Sequence, residues 1–218
     1  MKSYFIVGTD TDCGKTYVTC ELVRVLQHNN YQVKAIKPVA SGCSESNGQW
    51  CNEDAMKLAR LQQLNPEDIS PWVFHLPVSP HIAAAKEGRV VSAKQIAEYC
   101  QNNQTLPLDY LLIEGAGGLI VPLNAEETWL DVLAQCHIPV ILVVGMKLGC
   151  INHALLTAVA FKANHIQCAG WIANCLTPSM LFVKENIETL AYKLPFPLLQ
   201  VLEYQGTMDE VVIEKLLS

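Results

Sequence analysis

The sequence predicts an α/β fold in which a mostly parallel central sheet is covered by helices on both faces. Short apolar, β-prone segments alternate along the chain with segments whose apolar residues recur at helical spacing, a pattern typical of parallel sheets. A G-x-x-x-x-G-K-T motif, Gly8 to Thr16, stands at the first junction between such a strand and helix. Half of the 218 residues are hydrophobic, so the chain can bury a sizeable core.

The amino-terminal half begins with the strand and helix that flank this motif. Tyr4 to Val7 is an apolar strand, and the helix after the motif is expected to end near His28-Asn29-Asn30. A second strand, 33–36, is stopped by Lys37-Pro38, and the Ser-, Gly- and Asn-rich stretch 40–50 is expected to be a loop. The remaining predicted segments are a helix opening at 52–54, an irregular stretch at 72–80, and a helix from the capping-box residue Ser92 to about Asn102.

The carboxyl-terminal half continues the alternation. A continuous apolar run, Tyr110 to Ile113, ends in Glu114 and a glycine-rich turn. Thr177 and Pro178 are of the types preferred at the N-cap and first position of a helix, so we predict a helix from Pro178 to Leu194. The other predicted segments are helices at 128–136 and 152–162, strands at 139–144, 169–173 and 198–202, and a last helix from residue 208.

The glycine motif predicts a nucleotide-phosphate site of the P-loop NTPase type. Gly8 and Gly14 permit backbone conformations that bring the loop close to a ligand, and its N–H groups and the positive helix end would surround a phosphate. Lys15 is expected to neutralise the β and γ phosphates, and the Thr16 hydroxyl to hold Mg²⁺. Because the sequence contains no linker or repeat, we expect one P-loop NTPase-like domain over residues 1–218.

Residues after the other strand ends are further candidates, because ligands collect beyond the carboxyl ends of parallel strands. Glu114 is interpreted as a ligand that completes Mg²⁺ coordination; a surface carboxylate beside a turn is the alternative. Asp54 could be a second carboxylate ligand, although taken alone it favours a helix N-cap. Lys37 is either a solvated strand end or, opposite a triphosphate, a second cation for charge at the γ-phosphate, with the Ser41 hydroxyl nearby.

Two further features have both a functional and a structural interpretation. Gly145 to Asn152 joins a strand to a helix, so its N–H groups either capture an anion or form an ordinary connection. The residues alone do not decide between these. Cys13 lies just before a helix, whose positive end favours a reactive thiolate; an inert thiol that points into the core is the alternative.

Composition excludes several classes of protein. A formal charge of −6 without any basic run argues against nucleic acid or an anionic membrane as the main partner. No apolar run has the length that spans a bilayer. The nine cysteines show neither a C-x-x-C pair nor zinc spacing, which favours free thiols in a reducing cytosol. Because the amino terminus leads straight into a strand, we expect no signal peptide and a cytoplasmic location.

Several separated motifs, in this order along the chain, resemble the dethiobiotin synthetases, the ATP-dependent cyclo-ligases of biotin synthesis. The resemblance runs from Gly8 to about Leu176 and is specific, because separate motifs match in the family's order. The matching stretches are Gly8–Thr16, Lys37–Gly42, Ser79–His81, Glu114–Gly118 with Val121-Pro122, Lys147–His153 and Gly170–Asn174.

The resemblance implies a role for each matched residue. ATP would be bound by Asp12, Cys13, Gly14, Lys15, Thr16 and Tyr17, with Asn174 at the adenine. Mg²⁺ would be held by Thr16, Asp54 and Glu114. The catalytic residues at the diamine and its carbamate would be Lys37, Lys15, Thr11 and Ser41. The substrate carboxylate would bind across a homodimer interface to Leu148, Gly149, Cys150 and Asn152, which favours the anion-binding interpretation of that segment.

The implied reaction converts 7,8-diaminononanoate, CO₂ and ATP to dethiobiotin, ADP and phosphate through a phosphorylated carbamate. The stretch 202–206 departs from the family pattern, in which a proline lies near the adenine. Three other classes fit less well. An amide-forming ligase would need a glutamine-hydrolysing domain, a partitioning-type switch ATPase would have lysine where Thr9 stands, and a GTPase would have N-K-x-D.

Overall fold

The structure is a computed structural model that describes residues 1–46 and 49–217. Strands and helices alternate along most of this length, as the hydrophobic pattern predicts. In chain order the elements are β1 (Lys2–Gly8), α1 (Lys15–His28), β2 (Val33–Ile36), β3 (Val39–Ser41), β4 (Ser44–Ser46), β5 (Gln49–Cys51), α2 (Glu53–Gln62), α3 (Pro66–Ile69), β6 (Trp72–Phe74), α4 (Pro80–Lys86), α5 (Ala93–Gln104), β7 (Tyr110–Gly118), α6 (Trp129–Cys136), β8 (Val140–Met146), α7 (Cys150–Ala163), β9 (Cys168–Cys175), α8 (Val183–Lys193), β10 (Leu198–Leu202) and α9 (Val211–Leu217).

The central sheet has six strands in the order β10-β9-β8-β1-β7-β2. Every neighbouring pair in it is parallel, so all the carboxyl ends lie at one edge. The strand order reverses direction around β1, which places the loop after β1 at the point where ligands bind in open α/β sheets. The predicted fold class is confirmed.

Alternate residues of each strand pack into two separate cores, one on each face of the sheet. In β1, Phe5 and Val7 belong to one core, and Tyr4 and Ile6 belong to the other. Helices α4 to α8 cover the first face, and α1, α2 and α9 cover the second. Each fully buried side chain such as Phe5 contributes roughly 1.5–3 kcal/mol of hydrophobic stabilisation. None of the described helices combines the length and apolar character needed to cross a membrane.

Two stretches expected to be irregular contain short strands. Within 40–50, β3 pairs in parallel with β6, and β4 pairs with the antiparallel β5. Part of this predicted loop, residues 47 and 48, lies outside the described residues. The expectation for 72–80 is wrong at both ends, because 72–74 form β6 and Pro80 begins α4. The partners that stabilise these strands are distant in sequence, so local composition does not reveal them.

The predicted helix start at Thr177-Pro178 is wrong. Helix α8 begins at Val183, and the preceding Phe182 has a left-handed backbone with φ of 53°. A continuous right-handed helix cannot pass through that conformation. The last helix also starts later than residue 208, at Val211. The residues before it are held by other contacts: the Met208 N–H donates to Glu21 Oε2, and the Val211 N–H donates to Asp209 Oδ1.

Candidate active site

The loop after β1 has the conformation that its glycines predict. Gly14 has φ of +87°, and a Cβ there would lie 2.0 Å from Asn174 Nδ2. A Cβ on Gly8 would lie 2.5 Å from Cys13 Sγ. Asn174, at the end of β9, donates from Nδ2 to the Cys13 carbonyl at 2.9 Å. Both glycines are therefore required by close packing, and the neighbouring strand fixes the position of the loop.

A cleft of about 870 Å³ opens between this loop and the ends of β2 and β7. It brings together predicted residues that are more than a hundred positions apart in sequence, such as Thr11 and Glu114. Its lining includes Thr11, Asp12, Gly14, Lys15, Thr16, Tyr17, Lys37, Ser41, Asp54 and Glu114. Residues that sequence reasoning did not single out also line it, among them Cys20, Arg24, Lys57 and Arg60.

Lys37 stands between two carboxylates at the floor of the cleft. Its Nζ donates to Asp54 Oδ2 at 2.7 Å and to Glu114 Oε1 at 2.8 Å. The Thr16 hydroxyl donates to the same Glu114 oxygen at 2.6 Å. The first helix, the end of β2, α2 and β7 thus contribute one side chain each to a single polar cluster.

The charges of this cluster are mutually stabilised. Burial lowers the pKa of Lys37, but Glu114 and Asp54 outweigh burial, so the pKa of Lys37 is raised overall. Burial raises the pKa of Asp54, but the Lys37 ammonium outweighs it and the pKa is lowered overall. Burial and the nearby Glu114 carboxylate raise the pKa of the Cys20 thiol to about 11, so this thiol stays protonated.

Glu114 fits the role of a metal ligand better than that of a surface carboxylate. It lies within β7, pairs with Ile6 of β1, and is fully buried. Its second oxygen, Oε2, is buried and accepts no hydrogen bond from the described residues. A buried oxygen without a partner is costly unless a ligand or cation occupies the position. Thr16, Asp54 and Glu114 supply the oxygen ligands that Mg²⁺ prefers.

Asn52 is a positioning residue that sequence reasoning missed. It caps α2, because its Oδ1 accepts the N–H of Asp54 at 3.0 Å and of Ala55 at 3.3 Å. Its Nδ2 donates to the Ser41 carbonyl at 2.8 Å, which ties α2 to the end of β3. The N-cap interpretation of Asp54 is therefore wrong, and the Asp54 side chain is left to face Lys37. The preference of asparagine for N-caps was the available signal.

Lys15 also faces the cleft but has a different partner. Its Nζ donates to the backbone carbonyl of Asp10 at 3.1 Å, across the phosphate loop. The side chain is largely buried. No carboxylate of the described residues pairs with it. Its charge therefore remains available to an anionic ligand in the loop.

The segment after β8 lies outside this cleft. Leu148, Gly149, Cys150 and Asn152 contribute nothing to its described lining, while Lys147 forms a 2.9 Å ion pair with Asp10 of the phosphate loop. This pair holds the start of α7 close to the loop. Leu148 is 99% exposed and Asn152 is exposed, whereas Cys150 is buried.

Cys13 and Asn174 are buried rather than open to the cleft. Cys13 is fully buried within the core on the α1 face. This burial favours the inert interpretation of its thiol over the reactive one. Asn174 is buried too, and its amide is bound to the Cys13 carbonyl. The structure therefore places Asn174 beside the loop as a support.

Three kinds of comparison relate the chain to known proteins. A family model described as "AAA domain" matches residues 2–211. The ATP-dependent dethiobiotin synthetase of Legionella pneumophila strain Paris is 51% identical over 216 residues, 99% of this chain and 100% of that protein. The enzyme of the same name from Alteromonas mediterranea is 43% identical over 221 residues, 96% of this chain and 95% of that protein.

Solved structures share the fold at low sequence identity. The MinD cell division protein of Aquifex aeolicus has a TM-score of 0.57 at 13% identity, over 99% of this chain and 86% of that one. A ParA family ATPase of Chlorobium tepidum has a TM-score of 0.56 at 13% identity, over 99% and 89% of the two chains. At these identities the comparison establishes the architecture alone.

Proposed function

The chain belongs to the ATP-dependent dethiobiotin synthetase family, and we propose that it converts 7,8-diaminononanoate, CO₂ and ATP to dethiobiotin, ADP and phosphate. One amine takes up CO₂ as a carbamate, and the γ-phosphoryl group of ATP is transferred to a carbamate oxygen. The second amine then attacks the carbamate carbon, and phosphate leaves as the cyclic urea closes.

The observation that supports this reaction best is the convergence of two lysines and two carboxylates on the phosphate loop. Lys15 and Lys37 line one cleft together with Asp54 and Glu114. Phosphoryl transfer depends on positioning and charge neutralisation more than on acid–base groups. None of the histidines lines the described part of this cleft, which suits a reaction whose acceptor is already an anion.

The residues of the chain divide these tasks. The loop N–H groups and Lys15 bind the transferred phosphoryl group, and Lys37 neutralises charge that develops between phosphate and carbamate. Thr11 and Ser41 line the cleft and orient the diamine and its carbamate. Lys37 and Ser41 thus contribute to both substrate binding and catalysis.

Thr16, Asp54 and Glu114 are the residues that would hold Mg²⁺. When bound, the ion supplies charge neutralisation at the phosphate oxygens. Glu114 Oε2, which has no hydrogen-bond partner among the described residues, and the Thr16–Glu114 hydrogen bond support this set of ligands. We assign Asp12, Cys13, Gly14 and Tyr17 to the loop that binds ATP. We assign Asn174 to the adenine side of the site, where its buried amide acts by holding this loop in position.

A homodimer with shared sites is supported by an exposed apolar surface around α7. Leu148, Leu156 and Val159 are exposed on or beside this helix, and the exposed Ile120 lines the same small cleft as Leu156. A second cleft of about 300 Å³ lies there, lined by Thr11 of the phosphate loop and by His153. Surfaces of this kind mark interfaces. Leu148, Gly149, Cys150 and Asn152 would bind the substrate carboxylate of the partner's site. We further assign residues 1–218 to one domain that acts in the cytoplasm.

The test is ADP release with each component omitted in turn. Purified protein with Mg-ATP alone should release little ADP, because the phosphoryl acceptor exists only when diamine and bicarbonate are both present. Adding both together should start release, whereas adding either one should not. Strong ATP hydrolysis without the diamine would contradict the proposal and favour a switch ATPase.

A further inference from the structure

The ammonium group of Lys37 lies where the ligands of the proposed metal meet. Its Nζ is 2.7 Å from Asp54 Oδ2 and 2.8 Å from Glu114 Oε1, the oxygen that also accepts from Thr16. We infer that Lys37 holds the place of the divalent cation in the nucleotide-free protein, and that Mg²⁺ binds these carboxylates only by displacing it. The inference rests on the proposed function, from which the metal ligands are taken.

The cluster requires a cation at all times. Glu114 is fully buried within the central sheet, and an ionised carboxylate without a counter-charge is very unfavourable there. Lys37 supplies that charge through ion pairs of 2.8 Å with Glu114 and 2.7 Å with Asp54. The folded chain is therefore stable without metal because one of its own side chains neutralises the site.

Lys37 and a divalent cation cannot share this position. Two cations within a few ångströms of each other repel strongly in a buried site. Lysine, however, carries its charge on a flexible four-carbon stem and can move without a change in the backbone. Its partner Asp54 is 39% exposed, so the ion pair opens toward the cleft rather than into the core. The second Glu114 oxygen has no partner among the described residues and remains ready for a ligand.

Displacement by the metal would free the ammonium group of Lys37 for the reacting groups once Mg²⁺ has bound. The cleft that receives its ammonium group is also lined by Ser41 and Lys15. Once released from Asp54 and Glu114, Lys37 can pair with the anion between nucleotide and carbamate. Arrival of the metal and availability of the second lysine are thereby coupled in one exchange.

The test measures metal binding without nucleotide or diamine. Mn²⁺ serves as the probe, with free ion quantified by electron paramagnetic resonance during titration of wild-type and Lys37→Met protein. Removing a competitor that occupies the site more than nine-tenths of the time raises apparent affinity about tenfold or more. We expect that gain in Lys37→Met, together with a lower melting temperature that Mg²⁺ restores. Lys15→Met is the matched control, because Lys15 contacts a carbonyl instead of a carboxylate, and its Mn²⁺ affinity should equal that of wild type.

A second measurement uses the unaltered chain, in case Lys37→Met fails to fold. Acylation of lysines by an N-hydroxysuccinimide ester is quantified by peptide mass spectrometry with and without Mg²⁺. Labelling of Lys37 should rise with Mg²⁺, whereas that of Lys147, paired with Asp10, should not change. The inference is overturned if folded Lys37→Met binds Mn²⁺ no more tightly than wild type, or if that variant is unfolded and Lys37 labelling is unaffected. Because no turnover is involved, these results are independent of whether the synthetase assay succeeds.

Discussion

At the scale of single residues, the two buried lysines of the cleft differ in what they contact. Lys15 donates to a neutral carbonyl, whereas Lys37 is held by two carboxylates. The charge of Lys15 is therefore available to the nucleotide from the start. The charge of Lys37 is already neutralised within the protein, so the two residues should respond differently to substitution.

Lys15→Ala should lower turnover by about 10²–10³-fold or more, because a charge-assisted contact to the transferring phosphoryl group is lost. Melting temperature should change little, since Lys15 forms no ion pair with described residues. The control is Lys94→Ala on α5, an exposed lysine outside the described cleft lining, which should retain full activity. A Lys15→Ala protein that turns over normally would count against the phosphate-binding role.

Gly14→Ala should destabilise the protein and weaken nucleotide binding. The new Cβ would meet Asn174 Nδ2 at 2.0 Å and would also force alanine into a left-handed conformation. Gly88→Ala is the matched control, because Gly88 has φ of +67° with nothing within 4 Å of the added Cβ. Gly88→Ala should lower the free energy of unfolding only by the cost of placing alanine in a left-handed conformation, about 1–2 kcal/mol. Denaturant unfolding of both variants measures the difference. Equal losses in the two variants would show that the Asn174 contact is unimportant.

At the scale of elements, α2 places Asp54 in the cleft through its cap. Asn52 binds the first-turn N–H groups of this helix and the carbonyl of Ser41. The start of α2 and the end of β3 therefore move as one unit. Any change in the cap should affect both stability and the geometry of Asp54.

Asn52→Ala should cost about 1 kcal/mol of unfolding free energy, the usual value of an N-cap, and should also lower kcat/KM. Ser92→Ala removes the capping box of α5, outside the described cleft lining, and should cost similar stability while leaving activity intact. Unfolding curves and steady-state kinetics on both variants separate the two effects. An Asn52→Ala enzyme with unchanged kcat/KM would show that Asp54 does not depend on this cap.

Elements with strong local signals could be predicted from sequence, and those fixed by distant contacts could not. The strands of the central sheet are buried on both faces and appear as apolar runs such as Tyr110 to Ile113. The capping box at Ser92 marked α5 correctly. Strand β3 depends on pairing with β6. The left-handed backbone of Phe182 prevents α8 from starting at Thr177-Pro178, where local preferences favoured a helix start. Neither effect leaves a local pattern.

The candidate site, too, could be predicted from sequence only where the signal is local. Motif residues of the cleft, such as Lys37 and Glu114, could be named from their places after strand ends. Their mutual contact could not, because it requires the register of β7 against β1 and β2. Asn52 was missed because Asp54, two positions later, is also a good capping residue.

At the scale of the whole molecule, the exposed surface near α7 and the position of 148–152 outside the cleft support the proposed homodimer, in which each active site would use residues of both chains. Mixing Asn152→Ala chains with Lys37→Ala chains should restore activity, because a mixed dimer contains one site with both residues intact. Random exchange would give about a quarter of wild-type activity. Each variant alone provides the baseline, and native mass spectrometry verifies chain exchange. No recovery despite exchange would indicate that the carboxylate binds within one chain.

In the proposed reaction, the carbamate receives the γ-phosphoryl group of ATP. Single-turnover reactions in ¹⁸O-labelled bicarbonate with diaminononanoate and Mg-ATP test it, with mass analysis of phosphate and organic product. Phosphorylation of a carbamate oxygen followed by ring closure transfers one oxygen of CO₂ to the released phosphate and leaves the other in the urea carbonyl. We predict ¹⁸O in both the phosphate and the cyclic urea. A labelled urea together with unlabelled phosphate would contradict the account.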